Sequence, residues 1–163
     1  MPKTVAYLLL VYVGFKNYVK EFRVQSLIEL SFASLILGLV GGVFYREFTK
    51  VYGFTDSTYL GKVHVHALVL GFLSLLVFYS IVFRSNKKDL TKSLRRPIYL
   101  WVSGLLLSIV MMMIHGIIEV TGNYYGSIPE AAISGIAGMG HILLSAGIVW
   151  SMLILSREDV KNS

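Results

Sequence analysis

Four stretches of this chain, at about 26–46, 59–83, 98–120 and 129–155, are long and apolar enough to cross a bilayer as helices, which takes ~20 residues each. Lipid offers a peptide group no hydrogen-bond partner, so each stretch must satisfy its own backbone, as a helix does. The expected fold class is therefore all-α: an integral membrane four-helix up-down bundle with an additional short N-terminal helix. With 163 residues, 55% of them hydrophobic and 15% charged, and a mean hydropathy of +0.69, little chain remains for a soluble domain. Function has to reside in the bundle or at its rims.

Charge sets the orientation. The net +6 does not point to nucleic acid, because the positive residues gather beside the ends of the apolar stretches. The segment from Arg84 to Arg96 carries six basic residues and one acid, which places it on the cytoplasmic side of the cell membrane. Both ends of the bundle then lie inside, and the loops 47–58 and 121–128 lie outside. Tyr79, Tyr99, Trp101 and Trp150 are expected at the inner interface, and Tyr45, Tyr52, Tyr59, Tyr124 and Tyr125 at the outer one. Asp56 or Ser57 is the expected N-cap of the second span, and Pro129 the first helical residue of the fourth, with Glu130 in its first turn.

Residues 1–25 stand apart as an N-terminal segment. Their apolar run, Thr4 to Phe15, is short for a span and reads as an interfacial or partly inserted helix. The bundle occupies 26–156, and 157–163 form a cytoplasmic tail. The chain has no cysteine, which excludes disulfides, thiolate-ligated clusters and covalent haem attachment through Cys-x-x-Cys-His.

Four histidines lie within or beside the spans: His64, His66, His115 and His141. An imidazole in hydrocarbon is costly and is a functional-site candidate by default. His64 and His66 point ~200° apart on a helix, so they cannot serve one point in space. Gly61, Ala67, Gly71 and Ser74 share the stripe of His64, and small residues let another backbone, or a flat ligand, come close. That phase argument selects His64 as the inward residue and leaves His66 to lipid, a neighbouring helix or a second subunit. His115 shares a stripe with Gly104, Ser108, Met111 and Met112. His141 shares one with Ser134, Gly138 and Ser145.

Three histidines on small-residue faces suggest convergence on a metal, with haem iron favoured because bundle cores build such sites and haem accepts histidine axial ligands. In an up-down bundle the second and fourth spans are diagonal, so His64 and His141 would meet a haem from opposite faces. Gly71 and Gly138 would leave room for the ring. Depth argues partly against that pair: His64 lies ~10 Å from Ser57, His141 ~18 Å from Pro129 and His115 ~9 Å from Thr121, at 1.5 Å per residue. Arg46 and Lys62 are candidates for pairing with haem propionates, although Lys62 reads more simply as a residue snorkelling to the interface. Met111 to Met113 read as packing residues.

Three blocks carry a family resemblance: Phe44 to Lys50, Val63 to Gly71, and Ala131 to Leu144. They resemble a family of small bacterial four-helix membrane proteins over roughly residues 26–156. That family in turn resembles a reduced form of the haem-bearing subunit of haem–copper oxidases and nitric oxide reductases. In those subunits a His-x-Asn-Leu-Leu-Val helix ligates low-spin haem through its histidine, and His64 stands at that position, with His66 in place of the Asn. The resemblance implies noncovalent haem b, a bacterial cell membrane, and a role in electron transfer, haem sensing or haem sequestration. Catalysis of the oxidase kind is not implied, because four helices lack the full histidine set. Two alternatives remain open, a transition-metal or proton transporter using the four histidines and a structural or regulatory membrane protein without cofactor. Expected partners are membrane lipid, haem and either a second copy or a redox partner.

Overall fold

The computed structural model describes residues 22–85, 88–122 and 130–160, and for the side chains of residues 88, 89, 130 and 158–160 it gives no placement. The described residues form four helices: α1 (Val24–Val51), α2 (Leu60–Ser85), α3 (Lys88–Thr121) and α4 (Glu130–Val160). All four are long and apolar enough to cross a membrane. The all-α four-helix expectation is met. The expectations for the short N-terminal helix, Tyr124, Tyr125 and Pro129 fall outside the described residues.

Local chemistry explains the helix ends. Before α1, the Arg23 N–H donates to Ser26 Oγ at 3.3 Å. At its far end Gly53 adopts φ +61°, which a side chain disfavours. Phe54 N–H then reaches back to the Thr49 carbonyl at 2.9 Å, and Gly53 N–H to that of Lys50 at 3.2 Å, closing two of the helix's free carbonyls. The start of α2 differs from expectation, since neither Asp56 nor Ser57 caps it. Thr58 Oγ1 accepts from the Leu60 N–H at 3.3 Å, and Glu119, one helix away, completes the cap as described below.

The helices pack in chain order, α1 on α2, α2 on α3 and α3 on α4, and the α3–α4 seam is the most extensive. About half of the apolar span of α3 is buried within the protein, against about a quarter of each other span. Its buried stripe runs Leu90, Leu94, Ile98, Trp101, Leu105, Ser108 and Met112, steps of three and four that keep one face inward. That stripe begins inside the basic segment 84–96, which therefore becomes helical from Lys88 onward. The positive residues concealed an amphipathic helix start, because Leu90 and Leu94 need burial in the core. Apolar side chains left exposed, such as Phe32, Leu39 and Val43 on α1 and Val69, Leu73 and Val77 on α2, form the surfaces that meet lipid in a spanning bundle.

Small residues decide how closely the seams approach. Against α4, a Cβ at Gly104 would strike the Leu144 amide nitrogen and the Gly140 carbonyl, and one at Gly147 would strike the Trp101 backbone. On the α1–α2 seam, a Cβ at Gly71 would stand 2.6 Å from the Ser34 side chain, and one at Gly38 would stand 2.7 Å from Leu68. Residues Ala67–Leu73 of α2 form a π-helical stretch. Neighbouring side chains bind two carbonyls within it: the Trp101 Nε1–H donates to Leu70 at 2.9 Å, and the Ser31 hydroxyl to Phe72 at 2.8 Å. Trp101 is fully buried, so it belongs to the core and not to the interfacial belt, because its indole N–H has a backbone partner inside the protein.

Candidate functional site

One end of the bundle holds a cavity of about 320 Å³ between α2, α3 and α4, at the low end of the size range for small-molecule sites. Its wall from α2 is Tyr59, Lys62 and His66; from α3, Met111, Met112 and His115; from α4, Ile133, Ser134, Ala137, Gly138 and His141. On each helix these positions recur at steps of three and four, so each contributes one face. Antiparallel packing brings the starts of α2 and α4 and the end of α3 to the same end of the bundle.

His66 and His141 face each other across the cavity, with ring centroids 5.7 Å apart and planes at 86°. Each ring is held by its own helix. His66 Nδ1 lies 2.9 Å from the Lys62 carbonyl, and His141 Nδ1 lies 2.8 Å from the Ala137 carbonyl. A carbonyl only accepts, so each Nδ1 carries the proton, and in the neutral ring Nε2 keeps its lone pair. Anchoring one ring nitrogen to a carbonyl is how proteins orient an imidazole for metal ligation. Ser108 Oγ lies 3.5 Å from His141 Nδ1 as a more distant neighbour. His115 adds a third imidazole, packed against Tyr59 with centroids 4.4 Å apart and planes tilted by 32°.

The expected pairing of His64 with His141 is not the one the structure forms. His64 sits at the α1–α2 seam, with its ring 6.4 Å from that of Tyr45 and nearly parallel to it, beside Gly42. Its Nδ1 is buried without a hydrogen-bond partner among the described residues. The small stripe was correctly located on the face of His64, but the backbone it admits is that of α1. Gly71 belongs to the same packing and does not line the cavity. Gly138 does line it, and open space lies where its Cβ would be. Arg46 is turned away: its side chain is 80% exposed and lies 3.7 Å from Glu47. Lys62, read from sequence as a snorkelling residue, is the cation in the wall.

Phase reasoning on α2 alone missed His66. A comparison across helices finds it, because Tyr59–Lys62–His66, Met112–His115 and Ser134–Gly138–His141 form matching stripes at one bundle end. Among the described residues no three His, Asp or Glu side chains converge as a preformed metal site.

Glu119 fixes the mouth of the cavity. Its Oε2 accepts from the Thr58 hydroxyl at 2.8 Å and from the Tyr59 N–H at 2.9 Å, so a carboxyl group of α3 caps the N-terminus of α2. Tyr59 is thereby held between His115 and Lys62, whose Nζ lies 4.2 Å from the Tyr59 ring centroid. Glu119→Ala should lower stability by about 1–2 kcal/mol, the usual range for a lost N-cap, in a denaturant titration of the purified protein. Glu119→Gln should recover most of that loss, because its amide oxygen can still accept. Equal losses in the two variants would show that the cap is not the stabilising element.

No curated protein and no solved structure matches the chain. The sequence profile described as "Protein of unknown function (DUF2871)" matches residues 24–158, from the start of α1 nearly to the end of α4, and the chain belongs to that family.

Proposed function

We propose that this is an integral membrane protein that binds b-type haem noncovalently, with His66 and His141 as the residues that would hold it, in electron transfer, haem sensing or haem sequestration. The observation that carries the reading is the pair of facing imidazoles whose Nδ1 atoms are committed to backbone carbonyls. The donor set also separates haem from a bare ion. A divalent metal asks the protein for three or four ligands, whereas a porphyrin supplies four nitrogens and asks for one or two. Two converging imidazoles in a largely apolar wall fit the second demand.

Bound haem supplies a one-electron couple on its iron. The chain's residues do the rest. The carbonyls of Lys62 and Ala137 set the ring orientations, Gly138 leaves space beside His141, and Met111 and Met112 offer polarizable packing. His66 and His141 would hold the group between α2 and α4, and haem held by two imidazoles would supply electron transfer in place of catalysis. The likeness of the Val63–Gly71 block to oxidase-type haem subunits also supports haem, although it points to His64 where the cavity geometry favours His66. The test is the visible spectrum of the purified protein loaded with haemin: a low-spin Soret band that depends on His66 and His141.

The same reading includes orientation, with Arg84 to Arg96 cytoplasmic and the cavity near the outer face of the cell membrane. Cysteine placed at Ser57 should react with an impermeant thiol reagent on intact cells, and cysteine at Ser85 only after permeabilisation. The chain has no cysteine of its own, so labelling is free of background. Reaction of Ser85→Cys alone on intact cells would invert the topology.

A further inference from the structure

The cavity is chemically graded along the helices. Near the bundle end its wall is Tyr59, Lys62, His115 and Ser134, and further in it becomes Met111, Met112 and Gly138 around the facing imidazoles. Lys62 and His66 lie one turn apart on the same face of α2, a rise of ~6 Å. Lys62 is therefore displaced from the imidazole toward the end of the bundle. Its ammonium rests over the Tyr59 ring at 4.2 Å, and among the described residues no carboxylate lies within ion-pair distance of it. Arg46, the other cation considered for this role, points elsewhere.

A lysine that only snorkelled would extend into water or headgroups. This one contributes to the cavity wall and is held by an aromatic face that attracts cations. Tyr59 is fixed in turn by the Glu119 cap. The arrangement presents one positive charge to whatever fills the cavity, at the edge where a polar end of that molecule would emerge.

We propose that Lys62 is the specificity-determining residue of this cavity, pairing with a carboxylate of an amphiphilic ligand whose apolar body reaches the two histidines. This rests on the haem reading, and for haem the partner would be a propionate. A charge-assisted contact in a partly desolvated mouth exceeds an exposed surface pair in strength, so its loss should weaken binding roughly five- to tenfold.

The experiment titrates the full-length purified protein with haemin and, separately, with haemin dimethyl ester, which keeps the macrocycle and iron but lacks the carboxylates. Affinity is read from the Soret shift. Lys62→Met should weaken haemin by that factor and leave the ester unchanged, and Lys62→Arg should restore haemin binding. The ester also reports folding, because a damaged cavity would lose both compounds. Equal weakening of both, or no weakening of haemin, overturns the proposal while haem binding by the native chain stands. If the native chain shifts the Soret band of neither compound, the haem reading itself fails and the Lys62 assignment falls with it.

Discussion

His66→Ala should abolish the low-spin haem spectrum, His141→Ala should do the same, and His64→Ala should leave it intact. Removing either ring takes away one of the two imidazoles that line the cavity side by side, and haem would then lose one of the two residues proposed to hold it. His64 cannot substitute, because its ring stacks near Tyr45 on the α1–α2 seam and points ~200° away from His66 on the same helix. Its buried, unpartnered Nδ1 makes His64→Ala a mild change for stability, since the variant removes an unsatisfied polar atom together with the ring. Absorption spectra of the three haemin-loaded variants at equal protein concentration decide the matter. Loss of the low-spin signature in His64→Ala alone would return the assignment to the phase argument and overturn the cavity pair. His115→Ala is informative in the same series: a retained spectrum keeps His115 in the wall, packed on Tyr59, and a lost one makes it a ligand.

Gly104→Val should open the α3–α4 seam and destabilise the protein by about 3 kcal/mol, at the upper end of the usual range for overpacking. The atoms its Cβ would meet are the Leu144 amide nitrogen and the Gly140 carbonyl. Both are helix backbone, so no rotamer change relieves the clash, and the helices must separate. Separation spreads along the seam, loosening Gly140 from Ser108 and Gly147 from Trp101, where an added Cβ would also stand within 3.0 Å. Packing contacts of this kind hold helices together in lipid, where apolar burial gives little net drive. Gly135→Ala, on the partner helix α4, is the control. Nothing lies within 4 Å of its Cβ position, so it should be neutral or stabilise by about 0.5–1 kcal/mol through helix propensity. Unfolding in denaturing detergent, followed by circular dichroism, compares the two. A Gly104→Val protein as stable as the native one would mean that the seam does not depend on this contact.

Four helices were legible from the apolar stretches alone, because lipid leaves a spanning backbone few ways to satisfy itself. Their ends were less so. Leu90 and Leu94 sit among Lys88, Lys92, Arg95 and Arg96, and a charge-rich stretch conceals a buried stripe until the helix it packs against is known. The N-cap of α2 was illegible for a similar reason, since half of it is Glu119, 60 residues away from Tyr59.

The histidines show the division most clearly. Which residues share a face follows from helical period, and that much was available from spacing: the stripe of Gly61, His64, Ala67 and Gly71 exists as read. What approaches that face does not follow, because a row of small side chains accepts a helix as readily as a flat ligand. The structure places Ser34, Gly38 and Gly42 of α1 against it, and this turns His66 toward α4. Local sequence determined the helices, their faces and the presence of imidazoles in the membrane. Which of His64 and His66 lines the cavity belonged to the tertiary structure, because it depends on which neighbouring helix occupies each face, a property of pairs of helices that no single stretch encodes.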